Sequence, residues 1–128
     1  MLLLLDASFL IALSREEEQR QAGDAVAFLR ANPGRRTVVS LIAAGEFLEG
    51  ADNGEEALRF LSRHALTGLS LPIARKSAEV QSRLAQRLGE NDAWLAATAL
   101  VHSFTLVSAD RGFTRVPRLD FIDFTKPA

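Results

Sequence analysis

Cysteine is absent from the 128-residue sequence. Its absence excludes a disulfide framework, a thiolate zinc site and a cysteine nucleophile, and it favours the reducing cytoplasm as the compartment. No apolar run is long enough to span a bilayer, so we expect no contact with a membrane. Residues 1–13 resemble the core of a signal peptide, but they lack a basic start and contain Asp6. We interpret them as a buried strand that runs into a helix.

An excess of charge of either sign is also missing. Fifteen basic residues nearly balance sixteen acidic ones, which argues against a nucleic-acid binder that acts through bulk charge alone. Glycine and proline are modest in number, and we find neither a repeat nor a linker. Because 48% of the residues are hydrophobic, the chain can bury a real core. We therefore expect a single domain over residues 1–128.

Strands and helices are predicted to alternate along the chain. Apolar and β-branched runs predict strands at residues 2–5, 37–39, 69–73, 105–108 and 120–124. Apolar periodicity and capping residues predict helices at residues 9–14, 17–31, 41–49, 55–64, 74–88 and 92–101, with Ser8, Ser40 and Asn91 as N-caps. This alternation predicts an α/β/α sandwich around a mainly parallel sheet of about five strands.

Four acidic residues stand where an ordinary surface charge is not expected. Asp6 ends the first predicted strand and Asp110 follows the fourth, while Glu46 lies in an alanine-rich helix and Asp92 opens another. Ligands of open parallel sheets bind beyond the carboxyl ends of the strands, where such acids would meet. Clustered carboxylates repel one another unless a cation compensates their charge. Oxygen ligands without cysteine select Mg²⁺ or Mn²⁺, and hydrolysis of a phosphodiester is the chemistry that such ions support.

Each of these residues also has an ordinary interpretation when it is taken alone. Asp92 could be a first-turn carboxylate that the helix dipole stabilises, and Asp6 and Asp110 could be turn residues at strand ends. Glu46 could pair with an arginine on the surface. Arg111 and Arg115 could bind RNA phosphates or belong to a solvated face. The acidic interpretation depends on all four acids occurring together.

Four motifs carry a resemblance to a known family, namely LLDAS at residues 4–8, AGEFLEG at 44–50, NDAWLAA at 91–97 and LVSADRGF at 106–113. In this order, and in these secondary-structure settings, they strongly resemble bacterial PIN-domain toxins of the VapC type. The resemblance covers nearly the whole chain. The last motif departs from the family in one respect, because Ser108 stands where threonine is more common.

The resemblance implies a Mg²⁺- or Mn²⁺-dependent endoribonuclease that cleaves structured RNA, often tRNA or rRNA. It also implies a homodimer and inhibition by a cognate VapB-type antitoxin. The four acids Asp6, Glu46, Asp92 and Asp110 take the catalytic, metal-holding positions, and the polar residues Ser8, Asn91 and Ser108 take positions beside them.

Two other functions are considered beside the nuclease. One is a catalytically silent PIN-like module that binds RNA or protein. The other is a phosphoacceptor domain of the response-regulator kind, which also gathers acids on a parallel sheet. It is disfavoured because the first strand does not end in paired acids and no lysine lies near the start of the fifth.

Overall fold

The computed structural model describes residues 2–126, so the ends of the expected domain, residues 1, 127 and 128, lie outside the described residues. The strands are β1 (Leu3–Leu5), β2 (Thr37–Ser40), β3 (Ala65–Thr67), β4 (Thr105–Ser108) and β5 (Phe121–Asp123). The helices are α1 (Ala7–Gln19), α2 (Asp24–Ala31), α3 (Leu41–Glu49), α4 (Gly54–Leu61), α5 (Leu71–Arg83) and α6 (Glu90–His102). A short 3₁₀ helix spans Arg111–Arg115.

The five strands form one sheet in the order β3-β2-β1-β4-β5. All four pairings are parallel, which confirms the predicted α/β fold with its mainly parallel sheet. The apolar run Leu3–Leu5 lies in the central strand and is at most 1% exposed, because neighbouring strands and helices cover it on every side. The chain builds outward from β1 in one direction to β3, and later in the other direction through β4 to β5. The carboxyl ends of β1 and β4 therefore flank the point where the strand order reverses.

The first two helices differ from the prediction in both boundaries and caps. Helix α1 begins at Ala7, and its N-cap is Asp6, whose side chain accepts from the backbone N–H of Phe9. The prediction that Ser8 is the N-cap is therefore wrong. Helix α1 ends at Gln19, and its C-cap Arg20 has a left-handed φ of 53°. The continuous helix predicted over residues 17–31 is thus divided into the end of α1 and a separate α2.

Glu16 stabilises the start of α2 from a distance. Its carboxylate accepts from the backbone N–H groups of Gly23, Ala25 and Val26, at 2.7, 3.0 and 2.9 Å. Partial burial acts to raise the pKa of Glu16, but these three donors outweigh it and lower the pKa below its ordinary value. Helix α2 has no side-chain cap of its own, so Glu16 of α1 supplies the acceptors for the free N–H groups at its start.

The third predicted strand, at residues 69–73, is wrong. Strand β3 lies earlier, at Ala65–Thr67, and α5 already begins at Leu71. Ser70 is the N-cap of α5 and Pro72 lies in its first turn, where proline's fixed φ suits a helix and its missing N–H costs nothing. Our interpretation of Pro72 as a residue of an edge strand overlooked this second role.

Helices α5 and α6 also differ from the predicted ranges of 74–88 and 92–101. Helix α5 ends at Arg83, and the buried side chain of Gln81 then bonds both the N–H and the C=O of Leu88, at 2.9 and 2.8 Å. Helix α6 begins at Glu90 after Gly89, and no side chain caps it. The prediction that Asn91 is the N-cap is therefore wrong. Among the described residues, no helix is both long and apolar enough to cross a membrane.

Candidate active site

Asp6 lies at the carboxyl end of β1 and is only 6% exposed. Its Oδ1 accepts from the hydroxyl of Ser8 at 2.6 Å and from the backbone N–H of Phe9 at 3.1 Å. Its Oδ2 accepts from the hydroxyl of Ser108 at 2.5 Å. Burial raises the pKa of Asp6, and these donors oppose the rise without cancelling it. The carboxylate is held in a single orientation between β1 and β4.

Ser8 and Ser108 join two turns that are about a hundred residues apart in sequence. While it donates to Asp6, the Ser8 hydroxyl accepts from the backbone N–H of Ala109 at 3.0 Å. The fully buried Ser108 hydroxyl accepts from the backbone N–H of Asp110 at 2.9 Å. The structure therefore places both serines beside Asp6, and Ser108 also fixes the chain that carries Asp110.

Asp92 and Asp110 meet across the gap between α6 and the 3₁₀ helix. Asp110 is the N-cap of the 3₁₀ helix, because its Oδ1 accepts from the backbone N–H of Gly112 at 2.8 Å. The pKa of Asp92 is raised to about 6. Burial is the largest cause, followed by the charge of Asp110, a side-chain hydrogen bond with Asp110, and the charges of Glu46 and Asp6. Two carboxyl groups can share a hydrogen bond only when one of them is protonated. The neighbouring carboxylate of Asp110 therefore favours the protonated form of Asp92 and contributes to its raised pKa.

Glu46 faces the same region from α3. Burial raises the pKa of Glu46, a side-chain hydrogen bond from Asn91 opposes the rise, and the charges of Asp6 and Glu49 add to it. Asn91 does not cap α6. It lies in the first turn of that helix, and its side-chain amide donates a hydrogen bond to Glu46. Glu46, Asn91 and Asp92 line an open cleft of about 410 Å³.

The structure brings all four predicted acids into one electrostatic cluster. Asp6 and Asp110 reach it from the ends of β1 and β4, whereas Glu46 and Asp92 reach it from α3 and α6. The charges of Asp110, Glu46 and Asp6 all contribute to the raised pKa of Asp92. The charge of Asp6 also contributes to the raised pKa of Glu46. In the part of the chain that the structure describes, no three acidic or histidine side chains have the geometry of a metal centre.

The two arginines proposed from the sequence have different partners. Arg111 follows Asp110 directly, and its Nη1 lies 3.3 Å from Oδ2 of Asp123. Arg115 instead donates to the side chain of Gln86 at 3.1 Å. Sequence reasoning missed Asp123, although its place at the end of the last predicted strand could have placed it at the same sheet edge.

These observations define a three-layer α/β protein with an acidic site at the point where its strand order reverses. The family model for the PIN domain matches residues 3–119, and the chain therefore belongs to the PIN domain family. The resemblance inferred from the four sequence motifs is thereby confirmed. A search of curated proteins finds no match to the chain.

Solved structures with the same fold come from bacterial toxin–antitoxin systems. VapBC2 from Rickettsia felis, crystallised with a promoter DNA fragment, matches with a TM-score of 0.77 and 20% identity over 95% of this chain and 98% of that one. A toxin–antitoxin complex from Klebsiella pneumoniae matches with a TM-score of 0.76 and 25% identity, over 94% and 96%. VapC20 from Mycobacterium tuberculosis, a toxin that cleaves the sarcin–ricin loop, matches with 0.66 and 17%, over 88% and 92%.

Proposed function

We propose that this protein is a metal-dependent endoribonuclease and the toxin of a VapBC-type toxin–antitoxin pair. The observation that carries the proposal is the convergence of Asp6, Glu46, Asp92 and Asp110, whose burial and mutual repulsion raise the pKa of Asp92 to about 6. Membership of the PIN domain family supports nuclease activity. The likeness to VapC20, whose substrate is the sarcin–ricin loop, supports structured RNA such as tRNA or rRNA as the substrate.

The four acids fit a hard divalent cation, Mg²⁺ or Mn²⁺, by the chemistry of their donor atoms. All are carboxylate oxygens, and the repulsion among their charges contributes to the raised pKa of Asp92, which a cation would relieve. When bound, such a cation supplies the compensating charge and the Lewis acidity that phosphodiester hydrolysis requires. In this scheme Ser8 and Ser108 fix the orientation of Asp6, and Asn91 orients Glu46.

The protein partners that we propose are a VapB-type antitoxin and a second copy of this chain. The toxin–antitoxin complexes among the similar structures support the antitoxin. A cleft of about 360 Å³ between α1, α3 and α4, in which the charged side chains Arg15, Glu18 and Glu56 surround Ile11, is the place where we propose that an antitoxin segment binds. Large apolar side chains that are exposed in the monomer support a homodimer, and they are Leu41, Leu58, Leu66, Leu69 and Leu71.

Cleavage of purified tRNA and rRNA in the presence of Mn²⁺ tests the nuclease. We expect Asp6→Asn and Asp92→Asn to lose more activity than the roughly 10–100-fold that a change beside a metal ligand costs. Asp120→Asn is the matched control, because this exposed acid lies just before β5, at the opposite edge of the sheet. Full Mn²⁺-dependent cleavage by both site variants would refute the proposal. RNA binding without cleavage by the wild-type protein would favour the silent binding module instead.

A further inference from the structure

A fifth acid, Asp123, lies at the same edge of the sheet as the four acids of the proposed site. It is the last residue of β5 and pairs in register with Ser108 of β4. The backbone N–H of Phe124, the next residue, donates to the carbonyl of Ser108 at 3.4 Å. The side chain of Asp123 is only 7% exposed. A buried acid in this position requires a partner, because an unpaired buried charge is costly.

The contacts of Asp123 divide between its two oxygens. Oδ1 accepts from the backbone N–H of Thr125 at 2.9 Å and from the Thr125 hydroxyl at 2.6 Å. Oδ2 accepts from Nη1 of Arg111 at 3.3 Å. The Thr125 hydroxyl, its backbone N–H and Arg111 together lower the pKa of Asp123, so the carboxylate is charged at neutral pH. One oxygen is thus fixed by the local turn, and the other is directed at the guanidinium.

Arg111 is the cation nearest in sequence to the four acids, since it follows Asp110 directly. A flexible arginine next to a cluster with excess negative charge is attracted onto that cluster. Among residues 2–126, however, the ion pair that Arg111 forms is with Asp123, not with the acids of the site. Its side chain remains 63% exposed, which leaves the other guanidinium N–H groups accessible.

We propose that Asp123 is a positioning residue, which holds the Arg111 guanidinium at the rim of the site, clear of the four acids, so that it binds a phosphate of the RNA strand. This inference rests on the proposed function, because RNA is the ligand. A guanidinium anchored by one N–H presents the rest of its planar fork to a phosphate with less loss of side-chain freedom on binding. Asp123 therefore raises the affinity for an anion although it carries a negative charge itself.

The test is the binding of a fluorescein-labelled single-stranded RNA oligonucleotide in EDTA, measured by fluorescence anisotropy over a range of salt concentrations. We expect Arg111→Gln to weaken binding by about tenfold, the usual effect of losing one charged hydrogen bond. The slope of log K against log salt should become shallower by about 0.7, the value for one lost phosphate contact on a single strand. Arg36→Gln, an exposed arginine just before β2 at the opposite edge of the sheet, is the matched control and should change neither quantity.

Asp123→Asn separates the two explanations by the direction in which it changes the affinity for RNA. Asparagine keeps an oxygen for Thr125, so the turn is retained, while the variant removes a negative charge from an RNA-binding surface. Bulk electrostatics alone predicts tighter binding, whereas the positioning role predicts binding about two- to fivefold weaker, in line with the loss of a partly exposed ion pair. In the Arg111→Gln background, Asp123→Asn should cause no further weakening, because its effect passes through Arg111. Unchanged thermal melting of each variant excludes a folding defect as the cause.

The outcomes separate this inference from the proposed function. If the wild-type protein cleaves RNA with Mn²⁺ and Asp123→Asn binds as tightly as wild type or more tightly, the positioning role is wrong and the nuclease stands. A further loss on adding Asp123→Asn to Arg111→Gln also overturns the role of Asp123. A wild-type protein that neither binds nor cleaves RNA overturns both proposals.

Discussion

Asp92→Asn should stabilise the metal-free protein while it removes the proposed activity. Burial and neighbouring acids raise the pKa of Asp92 from 3.8 to about 6, a change of roughly two units. One unit corresponds to about 1.36 kcal/mol, which gives about 3 kcal/mol for a fully shielded group. Asp92 is only half-buried, and solvent screening reduces this to about 1–1.5 kcal/mol. Asparagine fills the same volume without the charge.

The sign of the pH dependence follows from the direction of the shift. Because the folded state holds the Asp92 proton more tightly than the unfolded chain, this group adds stability below a pH of about 4 and loses that contribution as the pH rises through about 6. At pH 7.5 the wild-type protein therefore carries the full cost of the charged group. At pH 4 the wild-type side chain is largely neutral in the folded state, and the difference from asparagine should nearly vanish.

Thermal unfolding in EDTA, followed by circular dichroism at pH 7.5 and pH 4, measures this difference. For a chain of this length we expect Asp92→Asn to melt about 3–6 °C higher than wild type at pH 7.5, with little difference at pH 4. Added Mn²⁺ should then raise the Tm of wild type more than that of the variant, because a ligand stabilises only the state that binds it. Glu90→Gln is the control, since this exposed acid lies in the same first turn of α6. A variant that melts at or below wild type at pH 7.5 in EDTA would refute the argument.

Three further predictions concern residues around the site and the core. Glu16→Gln should lower the free energy of unfolding by about 1 kcal/mol at pH 7, as loss of a helix cap does, and this difference should shrink as the pH falls through the lowered pKa of Glu16. Urea unfolding measures the difference, with Glu18→Gln as the control. Equal stability of wild type and Glu16→Gln at pH 7 would contradict the prediction. Ser108→Ala removes a donor to Asp6 and should raise the Kd for Mn²⁺, measured by calorimetry, about 10–100-fold. An unchanged Kd would show that Ser108 does not orient Asp6 for the cation. Burial, and next the charge of Arg63, lowers the pKa of His64, so wild type should lose stability relative to His64→Phe as the pH falls below 6.5; parallel melting curves from pH 7.5 to 5 would disprove this.

The sequence sufficed for those parts of the fold that follow from strong local patterns. Leu3–Leu5 and Thr105–Ser108 predict central parallel strands because they are apolar enough to be buried on both faces. Once those strands are parallel, the acids that follow them must share one sheet edge. The prediction failed for β3, whose residues Ala65 and Leu66 are exposed at the sheet edge and carry no pattern of burial.

The side-chain partners within the site could not be predicted from local sequence. Asp6 and Ser8 are both suitable N-caps, and they lie two residues apart. The structure assigns the cap to Asp6, while Ser8 bonds Ala109, a residue 101 positions away. Asn91 likewise looked like a cap, but it donates to Glu46 from another helix. Which of these side chains becomes the cap depends on tertiary contacts, and local propensity contains no information about them.

The central position of β1 has a consequence for how the chain is made. Strand β1 pairs with the much later β4, and Asp6 accepts from a serine 102 residues further along the chain. Contacts of such long range form only after the intervening chain exists. If the protein is the ribonuclease that we propose, its site cannot be assembled on the ribosome until Ser108 and Asp110 have been translated. On that proposal, a chain truncated before Ser108 lacks both the serine that donates to Asp6 and the acid Asp110, and we expect it not to cleave RNA.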